Sequence, residues 1–350
     1  MKKAYKIVVS IILMASFGAA AFGQTGYSIT DNNRDVTSLD QQYYSFDLAT
    51  GQGTLITNLV VNGQQIRREY EGFGSIGSTL FGMAEFDTEN CGTGSDPITG
   101  LSADLRMFRT NTVNGTTPPP YPLPNTVQSA IGPQIGELCA PAGFTEAAGA
   151  YNPIDGFLYY IASDDTLPAS APRSRIFRVS PTTGLATQIG AAAGITLTAG
   201  SGGDENPYFD GLAILPDGRA FATEARFTNN PVQSGDPAVA DNGGLYRVFL
   251  TGPNAGRATF VKYLFNSDVN RDTGLANNGL VLYVLLEDGR VYTTDSSPGG
   301  AIFTPVFPNG NPAGSNTLST PGCLRPIQFP GQFCGDFEGF EIPNNGNGLR

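Results

Sequence analysis

FDGLAILPDGRAFA, residues 209–222, has the pattern of two short β-strands joined by a tight turn. Gly211–Leu215 is an apolar run, and Pro216-Asp217-Gly218 supplies turn chemistry, because proline presets φ and glycine tolerates positive φ. A second stretch, GGLYRVFLTGPNAGRATFV at residues 243–261, repeats the order strand, turn, strand. Together the two stretches predict a unit of four short antiparallel strands.

Both halves of this unit recur along the chain. Acidic starts resembling that of the first half occur at Glu71, Glu146, Asp210, Asp272 and Glu338, with spacings of 75, 64, 62 and 66 residues. The second half recurs at residues 43–56, 104–112, 175–189 and 289–306. A four-stranded unit at a near-constant period is typical of a β-propeller, in which each sheet covers the face of its neighbour.

The repeat predicts an all-β chain with a single propeller of about five four-stranded blades over residues 24–350, with blade starts near 71, 146, 210, 272 and 338. Residues 24–40 are expected to be a short extended lead-in, and residues 41–60 a strand pair that completes the last blade, so that N-terminal strands close the ring. The C-terminal unit stops at NNGNGLR, just past its expected turn. Either the closing blade has three strands or the natural protein continues, and six blades are the alternative.

The first 23 residues have the features of a signal peptide. Lys2, Lys3 and Lys6 form a basic start, residues 7–21 are apolar, and Ala21-Phe22-Gly23 places small residues before a cleavage site at Gln24. The alternative is an uncleaved anchor helix. No other hydrophobic segment of the sequence is long enough to span a bilayer. The sequence therefore predicts an exported protein that is periplasmic, at the cell surface or secreted.

The charge of the chain is strongly negative. The formal net charge is −11, and removal of the three lysines of the signal peptide would change it to −14, with Lys262 as the one remaining lysine. Such a surface repels phosphate backbones and anionic lipids, so nucleic-acid binding is not expected. The charge favours divalent cations or neutral ligands.

Four cysteines in an exported chain allow two disulfides. Cys323 and Cys334 flank a Pro/Gly loop and are predicted to pair, and Cys91 and Cys139 bracket the longest insertion and form the remaining pair. Four free thiols are the alternative. CxxC spacing is absent from the sequence, so neither a zinc ribbon nor a thioredoxin-type site is indicated.

The sequence contains no histidine, which rules out a Ser-His-Asp triad and histidine-ligated metals. The recurring acids are the best candidates for a site, because the first residues of the innermost strands lie near one mouth of the axial channel. Five converging carboxylates would repel each other, share protons or hold a cation, for which calcium is the candidate. The predicted ring consists of Glu71, Glu146, Asp210, Asp272 and Glu338. The alternatives are acids that accept backbone N–H groups in turns, or an acidic ring that binds a neutral or cationic ligand.

At GLAILPDGRAFA and LYRV…TG…AT the chain resembles exported bacterial β-propellers over roughly residues 41–350. The starts EGF, DGL and EGF are also similar to those of phytase-like and gluconolactonase-like propellers, and that resemblance implies mouth carboxylates that hold calcium or another divalent ion. The chain departs from the phytase-like pattern, because a phosphate site needs clustered basic residues and only Lys262 remains among the lysines after export.

Two functions follow from these observations. The first is a non-catalytic binding or surface-scaffold module, whose partner is a glycan, a polypeptide or a cell-surface molecule. The second is a calcium-dependent hydrolase of the lactonase or phosphoesterase type, in which a metal polarises the substrate and a carboxylate acts as base. The absence of a catalytic signature favours the first, since a propeller fold alone does not imply an activity.

Overall fold

The computed structural model describes eighteen segments of the chain. The described residues are 25–31, 42–48, 53–58, 60–61, 64–65, 70–77, 79–84, 104–109, 131–137, 146–164, 167–168, 170–203, 206–224, 243–264, 273–286, 291–298, 304–305 and 336–343. The predicted signal peptide and all four cysteines, with their predicted pairing, lie outside these segments. Within the segments, no helix is long and apolar enough to cross a membrane.

The described residues form β-strands joined by turns and loops. In chain order the strands are β1 (Thr25–Asp31), β2 (Gln42–Asp47), β3 (Gly53–Asn58), β4 (Val60–Val61), β5 (Gln64–Gln65), β6 (Tyr70–Ile76), β7 (Thr79–Ala84), β8 (Asp104–Arg109), β9 (Ile131–Glu137), β10 (Glu146–Asn152), β11 (Phe157–Ser163), β12 (Ser174–Val179), β13 (Ala186–Ile189), β14 (Thr196–Leu197), β15 (Phe209–Ile214), β16 (Ala220–Glu224), β17 (Gly244–Val248), β18 (Arg257–Tyr263), β19 (Thr273–Asn278), β20 (Val281–Leu286), β21 (Val291–Thr294), β22 (Thr304–Pro305) and β23 (Asp336–Glu341).

These strands form five blades. Blade 1 is β6-β7-β8-β9, blade 2 is β10-β11-β12-β13, and blade 4 is β19-β20-β21-β22. Blade 3 is β15-β16-β17-β18, with β14 from the preceding connection added in parallel at its outer edge. Blade 5 is β23-β1-β2-β3, and β4 and β5 form a separate small hairpin. The prediction of an all-β propeller is therefore confirmed, with five blades.

The first strand of each blade lies at the centre of the molecule. These inner strands contact one another in the closed order β6, β10, β15, β19, β23 and back to β6. Each sheet packs its faces on the two neighbouring sheets, which is why the strands are buried although each sheet is only four strands wide. Large side chains fill the contacts between blades, among them Met83, Tyr160, Phe177, Ile161, Tyr246, Phe221, Val284, Phe46 and Phe337.

The ring closes through the two ends of the chain. The C-terminal strand β23 pairs antiparallel with β1, with Tyr27 opposite Glu341 and Ile29 opposite Glu338. The expected lead-in at residues 24–40 is therefore wrong for residues 25–31, which form the second strand of blade 5. The closing blade has four strands because β1 supplies the strand that the C-terminal unit lacks, and neither a three-stranded blade nor a sixth blade is needed.

Glycine allows the inner strands to approach closely. Gly339 has φ +52°, and a Cβ placed on it would overlap the backbone carbonyl of Glu71 in the next blade. A Cβ on Gly149 would lie 2.9 Å from the backbone nitrogen of Phe73. These two glycines thus sit where the backbones of neighbouring blades touch.

The two faces of the propeller are defined by the direction of the inner strands. We call the face at which these strands begin the loop face, and the face at which they end the turn face. The turn face carries the tight hairpin turns, including Pro216-Asp217-Gly218, where Gly218 has φ +82° and its N–H donates to the Leu215 carbonyl at 2.8 Å. This is the turn that the Pro-Asp-Gly sequence predicts.

Candidate binding face

The acidic start of the repeat produces a β-bulge at the loop face in two blades. In β6 the pairing with β7 skips Glu71, and in β15 the pairing with β16 skips Asp210. A bulge leaves one residue out of the ladder and redirects its side chain. The bulges therefore leave both residues out of the pairing of their own sheets.

Glu71 shows where such a carboxylate goes. Its Oε2 accepts the backbone N–H of Ala147 at 2.5 Å, and Ala147 lies on β10, the inner strand of the next blade. Glu71 is only 3% exposed. An inner strand is an edge strand whose backbone needs partners, and this carboxylate supplies one of them. Glu71 thus accepts a backbone N–H, as one alternative predicted, but across a blade boundary rather than in its own turn.

Asp210 occupies the corresponding bulge of blade 3 and is 6% exposed. Its location at the start of an inner strand matches that of Glu71. The side chains of Glu146 and Glu338, and all of Asp272, lie outside the part of the chain that the structure describes. Among the described residues, no group of three or more Asp, Glu, Cys or His could hold a metal ion. The calcium ring of five carboxylates therefore stays a prediction.

A polar cluster joins blades 2 and 3 at the loop face. Ser163, at the end of β11, and Ser174, at the start of β12, have their hydroxyl oxygens 2.7 Å apart. The Ser163 hydroxyl donates to the Phe209 carbonyl at 2.6 Å, and the Phe209 N–H donates to the Ser174 hydroxyl at 3.0 Å. These bonds attach the start of the inner strand β15 to the neighbouring blade.

Arg173 extends this cluster and is only 5% exposed. Its Nε and Nη2 each donate to the Asn206 carbonyl at 3.2 Å, and its guanidinium carbon lies 5.5 Å from the centre of the Tyr208 ring. The N–H of Asp164, also buried, donates to the Arg173 carbonyl at 2.9 Å. The loop face between blades 2 and 3 thus holds the Arg173 cation in contact with the buried Asp164 and with the Tyr208 ring.

Two further buried contacts join inner strands nearer the turn face. The Ser75 hydroxyl of β6 donates to Glu341 Oε1 of β23. Asn277 of β19 donates from Nδ2 to the Ile214 carbonyl of β15 at 3.0 Å. Each contact spans a blade boundary, so polar side chains as well as apolar packing hold the ring closed.

The connections between strands differ in length on the two faces. Residues 85–103, 225–243, 264–272 and 306–335 connect strands whose ends lie at the loop face. At the turn face, one connection is long, at residues 110–130, and none of the others exceeds nine residues: 48–52, 77–78, 153–156, 180–185, 215–219, 249–256, 279–280 and 295–303. Loops that a rigid scaffold positions are the usual location of binding residues.

Sequence reasoning missed most of the residues that form these contacts. Arg173, Ser163 and Ser174 do not belong to the repeated positions, and their partners Phe209 and Asn206 lie in blade 3 or in the connection that leads into it. A signal was present for Glu341, because EGFE carries a second acid where the equivalent EGFG of blade 1 has glycine. Nothing local to that acid indicates that it is buried.

No protein-family model matches the sequence, and no curated protein matches it. Solved structures are similar to this chain at low identity. The PQQ-bound aldose sugar dehydrogenase of Streptomyces coelicolor is 13% identical, with 76% of this chain and 77% of that chain covered and a TM-score of 0.37. An exo-β-1,3-galactanase of Clostridium thermocellum is 13% identical, with 71% and 50% covered and a TM-score of 0.44.

A candidate 6-phosphogluconolactonase of Bacteroides fragilis is 12% identical, with 93% of this chain and 99% of that chain covered and a TM-score of 0.38. This chain spans half the length of the galactanase and most of the length of the other two proteins. All three TM-scores lie below 0.5, so these similarities carry no argument about activity. The fold assignment rests on the strand order of this chain.

Proposed function

We propose that the protein is an exported, non-catalytic binding module that holds its ligand at the loop face of the propeller. The observation that carries this proposal is the distribution of the connections. Long connections leave the strands mainly at the loop face, whereas four inner hairpins at the turn face are short. A rigid ring with variable segments on one face is the usual arrangement of a binding scaffold.

The polar cluster that joins blades 2 and 3 also supports the loop face as the binding side. Arg173, Asp164 and Asp210 are buried and would form the base of the proposed site. The hydrogen bonds of Ser163, Ser174 and Arg173 keep the start of β15 in one position, which limits the entropy lost on binding a ligand. The ligand would rest on this base and contact the longer connections.

The hydrogen bond that Glu71 accepts from the backbone supports a non-catalytic role. A general base or a metal ligand needs a carboxylate oxygen directed at a substrate or ion. Glu71 Oε2 instead accepts the Ala147 N–H, which gives this carboxylate a structural use. The candidate ligands are a glycan, a polypeptide or a cell-surface molecule, and the formal charge of −11 favours neutral or basic ones.

The experiment that tests this proposal begins with the protein lacking residues 1–23, which is screened against a glycan array and used to capture extracellular polypeptides. Any ligand found is then measured against two variants. One replaces residues 225–242, at the loop face, with a short Gly/Ser linker. The matched control replaces residues 115–125, at the turn face, with the same linker.

We expect the loop-face variant to lose at least about tenfold in affinity, which corresponds to about 1.4 kcal/mol, and the turn-face variant to keep the affinity of the parent. Both variants must retain the melting temperature of the parent. A loss of binding in the turn-face variant alone would place the ligand on the opposite face. Hydrolysis of a captured ligand by the parent would overturn the non-catalytic role.

A further inference from the structure

The seam between blades 5 and 1 differs from the other blade boundaries, because it is where the ring closes. Strand β23 pairs with β1 at one edge and packs against β6 of blade 1 and β19 of blade 4. It reaches this position from a connection, residues 306–335, that is long. Separation of β23 from its neighbours would open the ring without breaking any other blade.

A carboxyl group is buried in this seam. Glu341 is 8% exposed, and Ser75, its partner on β6, is 6% exposed. The Ser75 hydroxyl donates to Glu341 Oε1, and the Ser75 backbone N–H also interacts with the carboxyl group. The contact joins the last strand of the chain to the first blade, across 266 residues of sequence.

The strands around Glu341 offer no positive charge. Strands β1, β6, β10, β19, β20 and β23 contain neither lysine nor arginine. The remaining ionisable residues on these strands are acids and tyrosines, namely Tyr27 and Asp31 on β1, Tyr70 and Glu71 on β6, Glu146 and Tyr151 on β10, Tyr283 on β20, and Asp336 and Glu338 on β23. An ionised Glu341 would therefore be a buried negative charge without a cation on any strand packed against it.

We propose that Glu341 and Ser75 form a proton-dependent latch, which holds β23 against blade 1 while the carboxyl group is protonated and loosens the seam when it ionises. The protonated acid is neutral and fits the buried position, whereas the carboxylate is desolvated there. This regulation is independent of any ligand at the loop face.

Burial raises the pKa of Glu341 from its ordinary value of 4.5 to about 7, an effect that the hydrogen bonds from Ser75 reduce. Because the pKa is higher in the folded seam than in the open one, the stabilisation by this group is complete below pH 4.5 and is lost as the pH rises through about 7. The ratio of closed to open seam should fall on the order of 100-fold over this interval.

The test is amide hydrogen exchange of the purified protein between pH 5 and pH 8, with rates corrected for the intrinsic pH dependence of exchange. The sequence contains no histidine, so few other groups titrate in this window. We expect the equilibrium constant for opening of the amides in β23 and β1 to increase on the order of 100-fold from pH 5 to pH 8, with a midpoint near pH 7. Amides of β15 and β16, in blade 3, should open equally at both pH values.

Glu341→Gln is the matched variant, because glutamine resembles the protonated acid in shape and cannot ionise. We expect its seam to remain closed at both pH values. Asp217→Asn, at a turn-face hairpin of blade 3, serves as the control and should keep the pH response of the parent. The latch is rejected if the seam of the parent opens no more than blade 3 does. It is also rejected if Glu341→Gln keeps the full pH response.

Discussion

The carboxylate of Glu71 and the backbone N–H of Ala147 meet at 2.5 Å across the boundary between blades 1 and 2. The two residues are 76 positions apart in sequence, and each lies near the start of an inner strand. The bulge at Glu71 makes the contact possible by turning the side chain out of its own sheet. A residue that looked like part of a ligand site therefore holds two blades together.

Replacement of Glu71 tests this role. Glu71→Ala leaves the buried Ala147 N–H without this acceptor, and we expect the free energy of unfolding to fall by about 1.5–3 kcal/mol. Glu71→Gln keeps an acceptor oxygen and should lose less. Denaturant titrations of the parent and both variants provide the comparison. Equal stability of the alanine variant and the parent would show that the bond contributes nothing.

The close approach of Gly339 to blade 1 predicts a strong effect of a single methyl group. Gly339→Ala would force a Cβ onto the backbone of Glu71 at a residue with φ +52°. We expect a loss of more than about 2 kcal/mol in unfolding free energy, since the obstacle is backbone and cannot rotate away.

Gly77→Ala is the matched control for that substitution. Gly77 has φ +61°, but among the described residues no atom outside Gly77 and its chain neighbours lies within 4 Å of its Cβ position. Backbone strain alone should then cost about 1 kcal/mol. Thermal and denaturant unfolding of the two variants separate the strain from the overlap, and similar losses in both would refute the predicted overlap.

An ion pair between blades 3 and 4 predicts a pH effect in acid. Lys262 Nζ donates to Asp295 Oδ1 at 2.9 Å, and the lysine side chain is 5% exposed whereas that of the aspartate is 51% exposed. The hydrogen bond from Lys262 lowers the pKa of Asp295 below its ordinary value of 3.8. The stabilisation is therefore present above that value and is lost as the pH falls through the lowered pKa.

Asp295→Asn removes the partner charge and leaves Lys262 buried, so we expect a loss of about 1–2 kcal/mol at pH 7. Lys262→Met should cost less, because it removes the buried charge together with the pair. Asp217→Asn breaks the exposed pair with Arg219 and should change the stability by less than about 0.5 kcal/mol. The free energy of unfolding of the three variants is measured at pH 7 and pH 3. A larger loss for Lys262→Met than for Asp295→Asn would contradict this account.

The response of the melting temperature to calcium distinguishes the proposed binding module from a protein that holds calcium in the predicted carboxylate ring. We expect the melting temperature of the protein to be the same in EDTA and in millimolar calcium, because Glu71 already has the Ala147 N–H as a partner. An ion that binds only the folded state at 100 times its Kd would stabilise it by about 2.7 kcal/mol. A rise in melting temperature that Asp210→Asn abolishes would instead support the metal ring and a hydrolase.

Much of the fold could be predicted because its signals are local. Pro216-Asp217-Gly218 forms the predicted turn, and the flanking runs form β15 and β16. Strand β1 was missed although Tyr27 and Ile29 alternate with small and polar residues in TGYSITD. That pattern is short, and its partner β23 lies at the other end of the chain.

The candidate site was harder to predict because its contacts are not local. The recurrence of Glu71 and Asp210 indicates a shared position, but a repeat cannot show whether a carboxylate faces solvent, an ion or a backbone N–H. The same limit applies to Arg173, whose partner Asn206 belongs to the connection that leads into blade 3. Partners in neighbouring blades are set by the closure of the ring.

The sequence by itself determined the class of the fold, the period of the blades and the absence of histidine chemistry, because strand alternation, turn residues and composition act over a few residues. Only the tertiary structure decided that β1 completes the closing blade, that Glu71 bonds to the next blade, and that Glu341 is buried beside Ser75. Burial and partner choice depend on which strands the closed ring brings together, and hydrogen bonding and desolvation act on that arrangement.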